Sequence, residues 1–276
     1  MNQNNNLSVL PFYPSIDEQN HRRSYSYGDI YPLYTPCGHV PPFQVCVPTS
    51  NATIQGVMLY KADGTQVGAI TQQLTTGGLT KMSYAAYGYD VIVYPASIVA
   101  GVMTEQGQYY MMILMSDDTW YYSDIMTAVP DISPYLKIEW YDMEDMVMDD
   151  CRIVYEMGGG EEFHNIMYLN TEIGKPEYTF EEQGENRDGF FFPEKQLSEK
   201  TYRFTFLAAE YVCDVMRFIR MADSIVITDK YGREYRCDTF LMTPKWETQG
   251  NLASVEVEFQ TNTVAKRIGR AYTSNN

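Results

Sequence analysis

The stretch from Lys200 to Phe259 constrains the fold of this chain most tightly. Tyr202, Phe204 and Phe206 alternate with Thr201, Arg203 and Thr205, and Val255, Val257 and Phe259 alternate with Ser254, Glu256 and Glu258. Each run therefore presents one apolar and one polar face, the pattern of a half-buried strand. Between them Tyr211, Val215, Phe218 and Ile219 fall on one stripe of a 3.6-residue period, with Asp214, Arg217 and Arg220 elsewhere on the wheel. This predicts an amphipathic helix near residues 209–221, lying on a sheet as part of a β-α-β unit. The segment is well specified for burial and poor in reactive groups, so it points to a protein that works by shape and contact.

The rest of the chain extends that reading to a mainly β fold. From Phe43 to about Val129 short strands alternate with turns. Val57 to Lys61 and Gln66 to Ile70 flank Ala62-Asp63-Gly64-Thr65 as a hairpin, and Asp-Gly is a favoured turn pair. Tyr89 to Tyr94 ends at Pro95, Gln108 to Met115 runs into Ser116-Asp117-Asp118-Thr119, and Thr119 to Ser123 follows. No helical stripe interrupts them, so residues 43–130 predict a β-sandwich. Gly77-Gly78 and Gly88 read as turn or bulge residues. Pro130 to Pro134 reads as a linker, and residues 131–276 as an α+β domain, an antiparallel sheet with one packed helix. Its strands fall at Leu136 to Trp140, Arg152 to Tyr155, Asn165 to Asn170, Glu177 to Glu181, Ser224 to Thr228 and Arg233 to Cys237.

Residues 1–42 stand apart. Pro11, Pro14, Pro32, Pro36, Pro41 and Pro42 disfavour helix and central strand, so this segment is expected to be extended and to form no core of its own. It is either a disordered leader or an arm that orders on a neighbouring subunit, its Tyr25, Tyr27, Tyr31 and Tyr34 filling pockets there. The chain holds 24 tyrosines. Tyr suits both sandwich surfaces and interfaces, and both uses remain open.

A formal charge of -16 argues against direct nucleic-acid binding, which needs clustered Lys and Arg. From Glu139 to Glu199 seventeen acidic residues face four basic ones. That stretch is either a solvated acidic face or a surface for a basic partner or divalent cations. Its densest part, Asp142, Glu144, Asp145, Asp149 and Asp150, lacks the spacing of a calcium loop, so no metal is expected. The alternative is an exposed acidic connection whose Met143, Met146 and Met148 fill gaps.

Five cysteines, Cys37, Cys46, Cys151, Cys213 and Cys237, form neither a CxxC pair nor an even set. With no signal-peptide pattern in MNQNNNLSVLPFYP and no apolar run of membrane-spanning length, the expected compartment is a reducing cytoplasm. The three histidines, His21, His39 and His164, have no sequence context that places them beside a nucleophile. No hydrolase, metalloprotease or P-loop motif occurs, so the chain is expected to be non-enzymatic and free of cofactors. Trp120-Tyr121-Tyr122 is the densest aromatic cluster. Strand alternation places Trp120 and Tyr122 together, facing the core, while a ligand-binding reading has Trp120 and Tyr121 stacking on sugars.

Three stretches, YLNTEIGKPEYTFEEQGENRDG (Tyr168 to Gly189), EKQLSEKTYRFTFLAAEYVCDVMRFIRMAD (Glu194 to Asp223) and WETQGNLASVEVEFQTNTVAKRI (Trp246 to Ile268), resemble a family of structural proteins from tails and baseplates of phages and prophages of Bacteroidales-type bacteria. The resemblance covers roughly the C-terminal half. It implies a virion component assembled in the bacterial host cytoplasm. Such a subunit would be a tail ring, hub or adaptor, with copies of itself and other tail proteins as partners. The rival reading is a glycan- or receptor-binding module.

Overall fold

A computed structural model of the chain describes residues 8–17, 33–84, 86, 88–95, 101–142, 162–246 and 252–267. Its described residues form a mainly β fold, with strands β1 (Phe12–Tyr13) and β2 (Leu33–Pro36) entering first. The N-terminal half is organised around the longest of its strands. In β8 (Gly107–Met115), Tyr109, Met111, Ile113 and Met115 point inward on a period of two. One edge of β8 pairs with β4 (Ile54–Lys61), which in turn pairs with β5 (Gln66–Ala69). The other edge is shared end to end by β9 (Trp120–Ser123) and β10 (Met126–Val129). Outside these lie β1 on β9 and β2 on β10. On this side the outermost strands therefore come from residues 1–42. Val9, Leu10, Phe12 and Leu33 belong to the core of the same chain, and the rings of Phe12 and Phe43 stand 4.8 Å apart. The described parts of the expected arm are extended, but they pack inside their own molecule. Pro36 is tolerated because β2 lies at the sheet edge.

Facing this sheet is a second one of β3 (Phe43–Pro48), β7 (Tyr89–Tyr94) and β6 (Thr80–Tyr84) in the order β3-β7-β6. Every residue of β7 is buried. Its Ile92 and Tyr94 meet the first sheet, while Tyr89, Val91 and Val93 form a separate cluster with Cys46, Phe163 and Phe218 from the other half of the chain. Burial on both faces explains why YDVIVY is a nearly continuous apolar run. A short helix, α1 (Thr71–Thr76), precedes Gly77-Gly78, where turns alone were expected. With only Leu74 buried it carries no stripe that a periodicity argument can detect.

The C-terminal half contains two four-stranded antiparallel sheets. One has the order β12 (Asn165–Leu169), β11 (Leu136–Tyr141), β15 (Ser224–Thr228), β16 (Glu234–Arg236). The other has the order β13 (Glu177–Arg187), β14 (Phe190–Ala209), β18 (Leu252–Arg267), β17 (Thr239–Trp246). Ile138, Trp140 and Ile227 from the first meet Phe204, Val257 and Phe259 from the second in one core. The predicted helix is α2 (Glu210–Met216), burying Val212, Cys213, Val215 and Met216, with a separate 3-10 turn at Ile219–Met221. The expected β-α-β unit is corrected in one respect. Its two strands, β14 and β18, are antiparallel neighbours, and three further strands intervene after the helix. The expected strand at Arg152 to Tyr155 lies outside the described residues.

Strands β13 and β14 form a long hairpin. Asp188 (φ 52) and Gly189 (φ 83) both take positive φ, as a two-residue hairpin turn demands. Pro193 sits beside a bulge opposite Gln183/Gly184, where the ladder is already interrupted. Strand β18 accompanies β14 as far as the Lys195↔Arg267 pair, and among the described residues the hairpin is two-stranded beyond it. Among the described residues no helix is long and apolar enough to cross a membrane.

Candidate functional site

At the base of that hairpin the described residues form a cleft of about 360 Å³. Three segments build it. The loop after β12 supplies Thr171 to Pro176, β14 supplies Lys200 and Tyr202, and the β15–β16 hairpin supplies Asp229, Lys230, Tyr231 and Arg233 from its turn and Tyr235 from β16. Loop geometry follows from local chemistry. The Gly174 N–H donates to Arg203 O at 2.8 Å, and a Cβ on Gly174 would meet that same oxygen at 3.0 Å. A side chain there would crowd the strand it hugs.

Asp229 organises the turn. Its buried carboxylate accepts from the backbone N–H groups of Tyr231 (2.9 Å) and Arg233 (3.0 Å), from Arg233 Nε (2.7 Å) and from the Tyr235 hydroxyl (3.2 Å). Burial alone would raise its pKa, but these donors outweigh it and hold the carboxyl below its ordinary value. Gly232, at φ 75, closes the turn. Asp229→Ala is expected to cost about 1–2 kcal/mol by orphaning those donors, read as a shift of the urea midpoint at unchanged slope.

The cleft is cationic and aromatic in a chain of net charge -16. Lys230 is bonded to Glu172 at 2.5 Å, and Arg233 is paired with Asp229. Lys200 lies over the Tyr202 ring at 5.0 Å and the Tyr178 ring at 5.8 Å. Its hydrogen bond to Tyr202 pushes its pKa up. Tyr231, 71% exposed, carries Lys230 at 5.3 Å and Arg233 at 5.2 Å. Tyr202 is held from behind by Tyr235 (5.0 Å) and Phe259 (5.3 Å). The arrangement offers cations over π faces, chemistry suited to carboxylates and other anions.

The residues singled out from sequence are not brought together there. Tyr34 packs against Tyr135 within the chain, ring centroids 4.5 Å apart and tilted, and Tyr25, Tyr27 and Tyr31 lie outside the described residues. Tyr121 belongs to the core, paired across from Ile113, while Trp120 and Tyr122 take the opposite face, half-buried. The expected parity is thus reversed. The long inward row of β8 decides which face of β9 points in, and burial of Tyr121 removes it as a sugar-stacking surface. His39 Nδ1 is 3.2 Å from Cys37 O. His164 bridges Glu139 (2.8 Å) and Glu162 (3.3 Å) beneath the Tyr141 ring. Burial drives Cys213 to about 11 and Cys237 to about 12, so both are protonated at neutral pH. Of the acidic stretch near Asp142, only Asp142 is described. It accepts from Asp223 N, and among the described residues no metal-holding cluster occurs.

No family model matches this chain. No curated protein matches it either. Among solved structures it is similar to a chain from a crystal structure described as Dpr2 Ig1-Ig2 in complex with DIP-Theta Ig1-Ig3. The two share 8% identity over 87% of this chain and 97% of that chain, with a TM-score of 0.15. A likeness of that size carries no argument about function.

Proposed function

We propose that this chain is a non-enzymatic assembly protein, a virion subunit of the phage-tail kind that its C-terminal sequence resembles, acting through contacts with copies of itself and with neighbouring tail proteins. The observation that carries the reading is the β13–β14 hairpin. Tyr178 and Phe180 on β13, Phe191 on β14 and Val264 on β18 are exposed, Phe180 by 74% and Val264 by 63%. Register places Phe180, Ser198 and Val264 in one cross-strand row and Tyr178 beside Lys200, on the face that runs inward to Tyr202 and the core. A sheet that carries its apolar face out beyond its own sandwich has surface to bury against a partner. The acidic residues along β13 guard its open edge against unspecific pairing.

Mass photometry and negative-stain imaging of the purified chain test the reading, with closed oligomers expected. Phe180→Asp combined with Val264→Asp is expected to weaken assembly while moving the unfolding midpoint by no more than about 0.5 kcal/mol, because both side chains are exposed. A chain that stays monomeric at every concentration and is missing from particles would refute the proposal.

A further inference from the structure

We infer that the cationic cleft receives the acidic tip of the β13–β14 hairpin from a second copy of this chain. This rests on the assembly reading above and names the contact by which it occurs.

Two surfaces of opposite character lie on one molecule. The cleft gathers Lys175, Lys200, Lys230 and Arg233 around the exposed Tyr231, the half-buried Tyr235 and the buried Tyr202, with Glu172 and Asp229 as its lining carboxylates. Those two acids are engaged with Lys230 and Arg233. Lys200 is held instead by tyrosine rings, and among the described residues no ion pair is formed by Lys175. Positive potential is therefore left at the mouth of the cleft. Between residues 181 and 195, the far part of the hairpin holds Glu181, Glu182, Glu185, Asp188 and Glu194 against Arg187 and Lys195. Glu181, Glu182 and Glu185 are exposed, and Phe191 adds an apolar anchor beside them.

Geometry makes the contact intermolecular. From Tyr178, the cross-strand partner of the cleft's Lys200, to Asp188, at the turn, the strand advances about 33 Å at ~3.3 Å per residue. The ladder with β14 is continuous apart from one bulge, so the tip cannot fold back to its own cleft. Tip and cleft are different surfaces, so the contact can be repeated with a third copy instead of being exchanged between two. It propagates from copy to copy and closes into a ring when the rotation permits.

Charge reversal with rescue tests the inference on the full-length chain. Lys175→Glu with Lys200→Glu in the cleft, or Glu181→Lys with Glu182→Lys and Glu185→Lys at the tip, is expected to weaken self-association roughly tenfold or more. Raising salt toward 1 M should weaken the wild type in the same direction. Mixing the two reversed proteins is expected to restore association, since each then supplies one intact complement. The tip variant lies far from the core, so a folding defect from replacing Lys200 cannot mask the result. If wild type assembles but neither reversal changes it, the tip-and-cleft contact is refuted while assembly stands. If wild type is monomeric throughout, the assembly reading fails first.

Discussion

Replacing Lys81 by methionine is expected to destabilise the folded chain by about 3–5 kcal/mol, because it leaves the carboxylate of Asp90 buried without its cation. Asp90 is 1% exposed, on the inner face of β7, and its Oδ2 lies 2.7 Å from Lys81 Nζ. The two residues are diagonal neighbours across the β6–β7 ladder, where Lys81 faces Ile92 and Ser83 faces Asp90. The same ammonium donates to Ser50 O at 2.8 Å and Ala52 O at 2.7 Å, while Asp90 accepts from Ser50 N and the Ser83 hydroxyl. One pair therefore fixes the loop after β3 to the sheet. At this chain size the loss corresponds to a fall in Tm of roughly 10 °C. Adding Asp90→Asn should recover much of it, since the neutral amide can accept from Ser50 N through its oxygen and donate its NH2 to the Ser83 hydroxyl at a far smaller desolvation cost. A midpoint within 1 kcal/mol of wild type for Lys81→Met, by the convention that about 1.4 kcal/mol is a tenfold change in equilibrium, would sink the argument.

The pH dependence follows with a definite sign. Burial pushes the Asp90 pKa up, but hydrogen bonds from Lys81, Ser83 and Ser50 outweigh it, and the folded value lies below the ordinary 3.8. A carboxyl depressed on folding stabilises the native state above its unfolded pKa and loses that contribution as pH falls through the folded one. Acid unfolding of wild type should therefore steepen below about pH 4, and Asp90→Asn should flatten that limb.

Much of this architecture is legible in sequence, and the gaps have physical reasons. Strands β7 and β15 match their expected spans because an apolar run stopped by Pro95 and a clean alternation before Asp229-Lys230-Tyr231-Gly232 are local signals. The length of β14 is not local. Phe190 to Lys200 contains Pro193 and four charged residues, and it is extended because β13 pairs with it. The Asp188-Gly189 turn does carry a hairpin signal that marks this pairing. That the C-terminal half holds two sheets is a matter of which strand edges meet, and periodicity says nothing about that. The cleft is less legible still. Its cations come from positions 175, 200, 230 and 233, each unremarkable beside its sequence neighbours, and they converge only through the topology. Trp120 and Tyr122 show the reverse error. Alternation correctly pairs them on one face but cannot say which face is inside, since the partner strand decides it.

Phe163→Ala is expected to destabilise the chain by about 3–5 kcal/mol and to open a specific place, the outer face of the β3-β7-β6 sheet. Phe163 is 1% exposed and belongs, with Phe218, to the small cluster that covers Cys46, Tyr89, Val91 and Val93. This cluster joins the two halves: four of its members come from the first sandwich, one from the segment before β12 and one from the end of the α2 region. A three-stranded sheet with apolar residues on both faces needs such a cover, and truncating the ring leaves a cavity that rigid strands collapse into poorly. Cys46 is the reporter. In wild type its thiol is buried, and labelling by a thiol reagent requires an opening of the fold. The Ala variant should label at Cys46 on the order of tenfold faster than the loss of global stability alone accounts for, while Cys213, in the other core cluster, accelerates only as far as global unfolding does. Peptide-resolved labelling separates the two sites. Equal acceleration at both would mean that the substitution only lowers global stability and that the ring does not specifically seal the junction between the halves.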